Sequence, residues 1–429
     1  MNIRKVFLIG VCLGSLCAAF AQNPISPMGV YIADPTSRVD RDGRLYIYGS
    51  LDLDPGTYCS DRYHVLSSAD LKTWTLHPNS LKWETTIYAP DMMFKDGTYY
   101  LYYENPQGDE FVAVSDSPTG PFKDGVKIEG PKQIDPNIFI DDDGQAYYFW
   151  GQFSAKGAKM NPDMKTLDLS SMVDGIVTEK DHFFHEGSYV IKRGKYYYFI
   201  YADISRKGRP TSIGYAMATS PMGPYEYKGV IVDNAGCDPQ TWNNHGSIVQ
   251  FGSNWYVLYH RSTHACNSMR KACIEPIRFN EDGTIDEVEM TSQGAAGPLD
   301  AFSRTDAARA CLMGGNVRIR RMEGNPSREE LGCIRKGDHA VWKYLDFGKG
   351  ARKVSLRVLA KDSGRIVLKA DNAEGKILGS IDVPAGSSWT TVSSKIRKVK
   401  GVHALYMEFE GSLADKDILS LDWFSFVKR

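Results

Sequence analysis

The sequence lacks several features that would define its function at once. Its 51 Lys and Arg residues are balanced by 52 Asp and Glu residues, which argues against a nucleic-acid-binding protein, since such proteins are usually strongly basic. After residue 21 no apolar stretch is long enough to cross a bilayer. No Cys-x-x-Cys pair occurs, so a zinc ribbon is unsupported. The nine His residues form no spaced cluster, which argues against an enzyme built around a metal centre, and no extended run has helical spacing.

What is present divides the chain into two parts. Hydrophobic residues make up 42% and charged residues 24% of the 429 positions, a composition that excludes wholesale disorder. Of the 24 Tyr residues only Tyr344 and Tyr406 lie beyond position 297, and the residues from 298 onward carry a net charge of +8 against −9 for those before. A change of this size predicts two domains of different kinds.

The first 21 residues read as a secretory signal. Arg4 and Lys5 precede the apolar residues 6–20, and a small-x-small cleavage motif ends at Ala21. We therefore expect a secreted or periplasmic protein. A lipoprotein anchor at Cys17 is disfavoured, because the residue before it is too large for the usual lipoprotein motif.

Six cysteines remain after removal of this segment. An oxidising compartment would permit disulfides among them, but six cysteines allow 15 pairings and the sequence does not choose. Cys266 and Cys273 lie close together along the chain and are the first pair to consider.

A repeat organises the first part of the chain. Five segments each place a glycine turn before an aromatic, β-favouring run: residues 42–49, 96–103, 143–150, 193–200 and 251–258, with spacings of 54, 47, 50 and 58 between their glycines. A period of roughly 40–50 residues built from strands and turns is typical of β-propeller blades. The repeat predicts a five-bladed β-propeller over residues 22–297; the alternative is a β-sandwich whose aromatic strands recur by chance.

The second part has a different pattern. Short strand-like runs separated by Gly-, Asp- and Ser-containing turns predict a β-sandwich of immunoglobulin or jelly-roll type over residues 298–429. The glycine-rich stretch 294–298 is the natural linker. The whole chain is thus expected to be all-β, with a propeller followed by a sandwich.

Acidic residues recur in phase with the propeller repeat. Asp34, Asp91, Asp135 and Glu186 each lie about 5–12 residues before the aromatic strand of a blade, where the innermost strand would begin. Inner strands of all blades meet at one axis, so these carboxyl groups would converge and push their pKa values apart. Such an arrangement supplies the acid and the base for glycosidic cleavage. The alternative is a set of surface turn carboxylates beside proline.

Four segments together resemble glycoside hydrolase family 43, a family of five-bladed propeller hydrolases. They are Ala33-Asp34-Pro35, Ala89-Pro90-Asp91, Asp135-Pro136-Asn137-Ile138 and Glu186-Gly187-Ser188, and the resemblance covers residues 25–297. It implies that Asp34 is the general base, that Asp135 orients the acid and raises its pKa, and that Glu186 is the general acid. Inversion of the anomeric configuration needs room for a water, so we expect the carboxyl groups of Asp34 and Glu186 to lie roughly 6.5–9.5 Å apart.

The same resemblance suggests further site residues. His245 resembles a histidine that reaches a calcium ion on the propeller axis, and its alternative is a core histidine. Arg261 resembles an arginine near the sugar. Asp91 is expected to contribute to substrate binding, and Tyr88 and Trp150 form either an apolar wall for the sugar or part of the core. No organic cofactor is expected.

The C-terminal part resembles a family 6 carbohydrate-binding module, through segments 337–348 and 421–426. It departs from that pattern at His339, where an aromatic sugar platform is usual, and near Asp306, where one of two calcium carboxylates is missing. Asp306 and Asp422 would be the remaining ligands of a structural calcium. Trp389 either stacks on sugar or belongs to the core.

These features together predict a secreted, inverting glycoside hydrolase that acts on plant cell-wall polysaccharide such as arabinan, arabinoxylan or a related hemicellulose. α-L-Arabinofuranosidase is the first expectation, β-xylosidase the second, and β-galactofuranosidase is a further member of the set. The alternative from another class is a non-catalytic glycan-binding propeller. Removing the residues from 298 onward is expected to leave activity on a small aryl glycoside. Nucleic acid is not an expected partner, and the oligomeric state stays open.

Overall fold

The computed structural model describes residues 22–206, 208–411 and 415–428. The expected signal segment and Cys17 lie outside these residues. The described part of the chain is nearly all β, with thirty strands, one short α-helix, α1 (Glu179–His182), and two 3₁₀ turns (Gly294–Ala296 and Ala307–Arg309). Within that part, no helix has the length and apolar character needed to cross a membrane.

The strands before residue 278 form five antiparallel meanders among the described residues, which are the blades of a propeller. Blade 1 contains β1 (Tyr31–Val39), β2 (Leu45–Asp52), β3 (Ser60–Ser68) and the first part of β4 (Thr75–Lys95). Blade 2 contains the rest of β4 with β5 (Thr98–Glu104), β6 (Asp109–Ser115) and β7 (Lys123–Lys132). Blade 3 contains β8 (Asn137–Ile140), β9 (Ala146–Trp150), β10 (Ser154–Met160) and β11 (Leu167–Thr178). Blade 4 contains β12 (Phe184–Arg193), β13 (Tyr196–Asp203), β14 (Ser212–Ala218) and β15 (Glu226–Asp233). Blade 5 contains β16 (Ser247–Phe251), β17 (Asn254–Arg261) and β18 (Lys271–Ile277).

Blade 5 has one strand fewer than the others, and the N-terminal segment lies along its open edge. The backbone N–H of Ile25 donates to the carbonyl of Ala272 at 2.9 Å, and the Asn23 side chain donates to the carbonyl of Ile274 at 3.0 Å. The start of the described chain therefore satisfies backbone groups at the edge of the last blade, which closes the ring.

The aromatic repeat is explained by packing between blades. Five apolar clusters of the described residues lie between neighbouring blades, one at each junction of the ring. Successive side chains of a strand point to opposite faces, so on β9 Tyr147 and Phe149 pack towards blade 4 while Tyr148 packs towards blade 2. Both faces of an inner strand are thus buried, which requires consecutive large apolar residues instead of polar alternation.

The remaining strands form two six-stranded sheets that enclose one core. The first sheet contains β19 (Leu299–Asp300), β21 (Leu312–Gly314), β24 (His339–Asp346), β26 (Gly364–Ala370), β27 (Ile377–Val383) and β29 (Val402–Gly411). The second contains β20 (Thr305–Asp306), β22 (Arg318–Met322), β23 (Asn325–Ile334), β25 (Ala351–Ala360), β28 (Thr390–Val399) and β30 (Leu419–Val427). This is the expected β-sandwich.

Arginines surround the two carboxylates that were expected to bind calcium in the sandwich. Arg328 donates to Oδ1 of Asp422 at 2.6 Å, and Arg357 donates to Oδ2 of the same carboxylate. Arg304 donates to Asp306 at 3.2 Å. Guanidinium groups thus supply the positive charge that a cation would bring, so these residues do not fit the expected calcium site.

The candidate sugar-binding aromatics of the sandwich are engaged within the module. The ring of His339 stacks on Tyr406, with centroids 5.1 Å apart and planes 16° from parallel. The guanidinium of Arg357 lies over the half-buried ring of Trp389 at 5.1 Å. A sugar would have to compete with these contacts, which weakens the expectation of a stacking platform.

The sandwich packs firmly against blade 5. Lys271 Nζ lies 2.6 Å from Glu329 Oε2, and both side chains are buried. In the loop before β18, the backbone N–H of His264 donates to the carbonyl of Ile319, while its Nε2 accepts from the N–H of Arg321. The two modules therefore share a buried ion pair and a hydrogen-bonded loop.

All six described cysteines are free thiols. Cys266 and Cys273, the first pair considered from the sequence, do not form a disulfide. Cys273 lies on β18 in the cluster between blades 4 and 5, whereas Cys266 lies in the preceding loop, where Ser268 and Thr263 carbonyls accept from its thiol.

Candidate active site

A cavity of about 340 Å³ opens at the propeller axis. Its walls come from the ends of inner strands and from the loops between blades. Four of its side chains carry carboxyl groups and two are histidines, and the lining residues are Asp34, Tyr58, Tyr88, Ala89, Glu104, Ile134, Asp135, Gln152, His185, Glu186, Trp242, His245 and Asn267. Such a concentration of polar groups in one concave site is the usual mark of a binding or catalytic centre.

Asp34 is aimed at the axis by an irregularity in β1. The pairing of β1 with β2 shifts between Ala33 and Thr36, and Asp34 has a φ of 50°, a left-handed conformation that costs energy in a residue other than glycine. Opposite it, a Cβ on Gly49 would lie only 2.1 Å from the Ala33 carbonyl oxygen. Glycine is therefore required there for the strands to approach.

The Asp34 carboxylate is held in a buried ion pair. Its Oδ1 lies 3.0 Å from Arg270 Nη1, and its Oδ2 accepts a hydrogen bond from Ser50 at 2.6 Å. Burial opposes ionisation, but Arg270, the neighbouring histidines and the Ser50 hydrogen bond together outweigh it and lower the pKa of Asp34 to about 2. Asp34 is thus an ionised carboxylate at any pH above about 3.

Asp135 has the opposite electrostatic environment. It precedes β8 with a φ of 62°, and its Oδ2 accepts from the backbone N–H of Gly187 at 2.8 Å. Burial, with the negative charges of Glu186 and Asp34, raises the pKa of Asp135 well above its ordinary value. The pKa values of Asp34 and Asp135 are therefore shifted in opposite directions although both side chains are buried in one cavity.

Glu186 lies in a bulged part of β12. The pairing of β12 with β13 shifts on both sides of Glu186, which turns the side chain into the cavity. Its Oε2 accepts from Gln152 Nε2 at 2.8 Å, and His185 Nε2 lies 3.9 Å from the same oxygen. A Cβ on the next residue, Gly187, would meet the ring of His245 at 2.9 Å, so glycine allows the histidine to approach.

His245 lies between two of the carboxyl groups. Its Nδ1 is 3.8 Å from Asp34 Oδ1 and 4.0 Å from Asp135 Oδ1. Burial lowers the pKa of His245 below its ordinary value, so the ring is neutral at neutral pH. In the described chain no group of three or more His, Cys, Asp or Glu residues could hold a metal ion. Calcium prefers six to eight oxygen ligands, and Asp34 is already bonded to Arg270, so this donor set does not fit a directly coordinated calcium ion.

Three residues expected at the substrate lie outside the cavity lining, whereas Tyr88 lines it. Asp91 is fully buried, and its Oδ2 accepts from Arg38 at 2.6 Å and from the Ile138 N–H at 3.0 Å. It therefore ties blade 1 to blades 2 and 3. Trp150 belongs to the core between blades 2 and 3, which is the core alternative that the sequence left open.

Arg261 also turns away from the cavity. Its guanidinium donates to the carbonyl of Thr291 and to the hydroxyl of Tyr259, and it lies 3.7 Å from Glu275. The arginine that contacts a cavity carboxylate is Arg270, at the end of the next loop. No local motif distinguished it, because its role depends on a residue 236 positions earlier.

Sequence reasoning also missed residues at the mouth and on the walls. Trp242 is 53% exposed and lines the cavity, and Phe153, also half exposed, packs edge-on against His185. Glu104 is completely buried on the blade 2 side. It follows its blade's aromatic repeat directly, and a charged residue at that position was a signal that could have identified it.

Comparison with known proteins agrees with this geometry. The family model "Glycosyl hydrolases family 43" matches residues 21–285, and the model "Carbohydrate binding module (family 6)" matches residues 310–428. The first match covers more than half of the chain and contains every residue that lines the axial cavity.

Individual relatives span from about two thirds to nearly all of the chain. A xylosidase/arabinosidase from Thermoclostridium stercorarium is 32% identical over 91% of this chain and 96% of its own. A β-D-galactofuranosidase from Aspergillus niger is 29% identical over 65% of this chain and 87% of its own. The crystal structure of a family 43 arabinoxylan arabinofuranohydrolase from Bacillus subtilis in complex with cellotetraose superposes with a TM-score of 0.54 at 26% identity, covering 95% of this chain and 97% of that one.

Proposed function

The chain belongs to glycosyl hydrolase family 43, an inverting family, and from this premise we propose that it is an α-L-arabinofuranosidase that removes arabinofuranosyl branches from arabinoxylan or arabinan. The observation that carries the proposal is the axial cavity, in which Asp34, whose pKa is lowered to about 2, and Glu186 both line the wall. Hydrolysis by inversion needs one carboxylate that activates water and one carboxylic acid that protonates the leaving oxygen.

In this proposal Asp34 is the general base. The guanidinium of Arg270 keeps it ionised at every pH at which the enzyme would work. It accepts a proton from a water molecule, which attacks the anomeric carbon from the face opposite the leaving group. Ser50 donates a hydrogen bond to Oδ2 and Arg270 contacts Oδ1. The lone pairs of Asp34 that remain free determine where the water binds.

Glu186 is the proposed general acid, and Asp135 positions it. The Asp135 carboxyl accepts from the N–H of Gly187, the residue after Glu186, so it anchors the backbone that carries the acid. Gln152 donates to Oε2 of Glu186. The proton that is transferred to the leaving oxygen would therefore be carried on Oε1. The separation of roughly 6.5–9.5 Å between base and acid stays a prediction.

The size of the cavity favours removal of single sugars. A volume of about 340 Å³ is at the small end of ligand sites, which span roughly 300–1,000 Å³. It is suited to one terminal sugar with part of the next and not to a long polysaccharide segment. We therefore propose exo action, with the exposed ring of Trp242 stacking on the sugar to which the released unit was attached.

β-Xylosidase activity is the second candidate, because the relative from Thermoclostridium stercorarium is named a xylosidase/arabinosidase. β-Galactofuranosidase is a third, since the Aspergillus niger relative carries that name. A glycan-binding propeller without catalysis is disfavoured by the acidic residues of the cavity, because burying carboxyl groups is costly and a binding protein needs no acid and base.

The rest of the molecule is assigned accordingly. We propose that residues 22–297 form the hydrolase unit, that residues 298–429 form the module, and that residues 1–21 direct secretion to where the polysaccharide lies. The sandwich, whose aromatic rings are engaged internally, serves mainly to brace blade 5.

The test is hydrolysis of aryl α-L-arabinofuranoside, β-D-xyloside and β-D-galactofuranoside by the mature protein beside its Asp34→Asn variant. We expect the arabinofuranoside to be cleaved fastest, with release of the inverted anomer in an NMR time course, and no cleavage by a folded Asp34→Asn. If another glycoside is cleaved fastest, its sugar replaces arabinofuranose as the proposed released unit. Near wild-type activity of Asp34→Asn would remove Asp34 as the base.

A further inference from the structure

Glu104 is a carboxyl group of the cavity that the proposed reaction does not use. It is the last residue of β5 and lies opposite Tyr88 on β4. It lines the axial cavity with Tyr88 and Asp135, yet the residue has no exposed surface. Its position on the blade 2 side separates it from the Asp34–Arg270 ion pair.

Neither oxygen of the Glu104 carboxyl has a hydrogen-bond partner within the described protein. Leaving a buried carboxyl unsatisfied is costly, so such groups in folded proteins call for an explanation. The backbone N–H of Asp135 is close enough to favour the ionised form of Glu104, but the two groups do not meet the geometry of a hydrogen bond.

The neighbouring Glu110 shows what a purely structural carboxyl looks like in the same blade. It lies on β6 directly across from Glu104 and is equally buried. Its Oε2 accepts a hydrogen bond from the hydroxyl of Tyr148 at 2.6 Å, and it does not line the cavity. Two buried glutamates on paired strands thus differ in two respects: Glu110 leaves only Oε1 without a partner, whereas Glu104 leaves both oxygens without one, and only Glu104 lines the cavity.

The chemistry of Glu104 matches that of a hydroxyl group. Burial, together with the negative charges of Asp135 and Glu110, raises the pKa of Glu104 well above its ordinary value. A protonated carboxyl has one O–H donor and a carbonyl acceptor. A sugar hydroxyl has the same pair, and both groups are satisfied when they bond to each other.

We propose that Glu104 is a glycone-binding residue, whose carboxyl group hydrogen-bonds one hydroxyl of the sugar held in the axial cavity and so selects among sugars that differ at that hydroxyl. The proposal rests on the proposed function, because it assigns a sugar to the same cavity. A site built to bond a hydroxyl discriminates strongly against analogues that lack it, since the buried group is then left unpaired.

The experiment compares Glu104→Leu with the wild type on the aryl glycoside that the wild type cleaves fastest and on its monodeoxy analogues. We expect the variant to lose about 10- to 100-fold in kcat/KM on the parent glycoside. The wild type should cleave one deoxy analogue about 10- to 100-fold more slowly than the parent glycoside. The variant should cleave that analogue as fast as it cleaves the parent. Equal deoxy penalties in both proteins would overturn the role of Glu104.

Controls separate this role from stability and from the reaction itself. Glu110→Gln changes the matched carboxyl and should keep every wild-type deoxy penalty. Glu104→Gln preserves the side-chain volume, so it supplies a folded variant if leucine disrupts the blade, and its thermal midpoint is compared with that of Glu110→Gln. The deoxy analogue whose penalty disappears in the Glu104 variants identifies the hydroxyl that Glu104 bonds.

Binding of free L-arabinose, D-xylose and D-galactose by calorimetry gives a readout that does not need hydrolysis. Sugar binding that weakens about tenfold or more in Glu104→Leu supports the proposal even if no glycoside is cleaved, an outcome that would overturn only the proposed function. Normal hydrolysis with unchanged binding and unchanged deoxy penalties would overturn the Glu104 proposal and leave the function standing.

Discussion

Replacing Arg270 with methionine removes the charge that keeps the proposed base ionised. The Arg270 guanidinium is completely buried, and it donates to Asp34 Oδ1 and Asp52 Oδ2, each at 3.0 Å. Methionine fills much of the same space without the charge. Two buried carboxylates then lose their guanidinium partner, and the pKa of Asp34 should rise because its burial is opposed by fewer stabilising neighbours.

The magnitude follows from the pKa of Asp34. The gap between its ordinary value of 3.8 and about 2 corresponds to roughly 2.5 kcal/mol in favour of the ionised form. Because the folded pKa is depressed, this stabilisation is fully present above pH 3.8 and is lost as the pH falls towards about 2. Without the guanidinium, burial raises the pKa of Asp34 above 3.8. Uncompensated buried charge costs about 3–5 kcal/mol of stability at neutral pH.

The assay is the pH dependence of kcat/KM on an aryl arabinofuranoside. In the wild type the acid limb due to Asp34 should lie below about pH 3, and in Arg270→Met it should move upward by about two pH units or more. Arg261→Met is the matched control, since Arg261 is an equally buried arginine of blade 5 that does not contact a cavity residue. It should lose stability without moving the acid limb.

The reasoning would be refuted by a folded Arg270→Met whose acid limb coincides with that of the wild type. Circular dichroism and a cooperative melt establish folding. If the single variant does not fold, Asp52→Asn combined with Arg270→Met removes the second unpaired carboxylate while keeping the change at Asp34. The shift of the acid limb is then measured on that background.

Three further outcomes are expected. Glu186→Gln should lower kcat by about 10²–10⁴-fold for substrates with poor leaving groups and far less for activated aryl glycosides, because acid assistance matters little for the latter; equal losses across a leaving-group series would count against its role. Ending the chain at residue 297 should lower the free energy of unfolding by about 3–5 kcal/mol, because Lys271 loses Glu329 in a buried ion pair, while a folded truncated protein should still cleave a small aryl glycoside; an unchanged melting midpoint would contradict the first expectation. Chelation by EDTA should leave the melting midpoint unchanged, since arginines neutralise Asp422; stabilisation by added calcium would contradict this.

The five-fold repeat could be predicted from the sequence because the propeller fold requires similar residues at the same place in every blade. Strands such as β9 and β13 are covered on both faces by neighbouring blades, so each must be aromatic or apolar along its length. Glycine turns must precede them at every period. A periodic pattern of this kind survives in the sequence without any knowledge of contacts.

The site was readable only in part. Asp34 and Glu186 lie near the start of innermost strands, Asp135 lies just before one, and all three line the cavity. Asp91 has the same position in its blade, but its carboxylate bonds to Arg38 and to blade 3. Sequence position alone does not distinguish a carboxylate that faces the axis from one that joins blades.

The sequence by itself determined the all-β architecture and the five-fold period, because both repeat along the chain, and its resemblance to a known family singled out the three acidic residues of the proposed reaction. Only the tertiary structure decided which groups control them. Arg270 lowers the pKa of a carboxylate 236 positions away along the chain. The sugar-binding role proposed for Glu104 follows only from the cavity that it lines. Inner strands from distant segments meet at one axis, and local bulges set the direction of each side chain there. Charge, burial and partner at the axis are therefore properties of the closed ring.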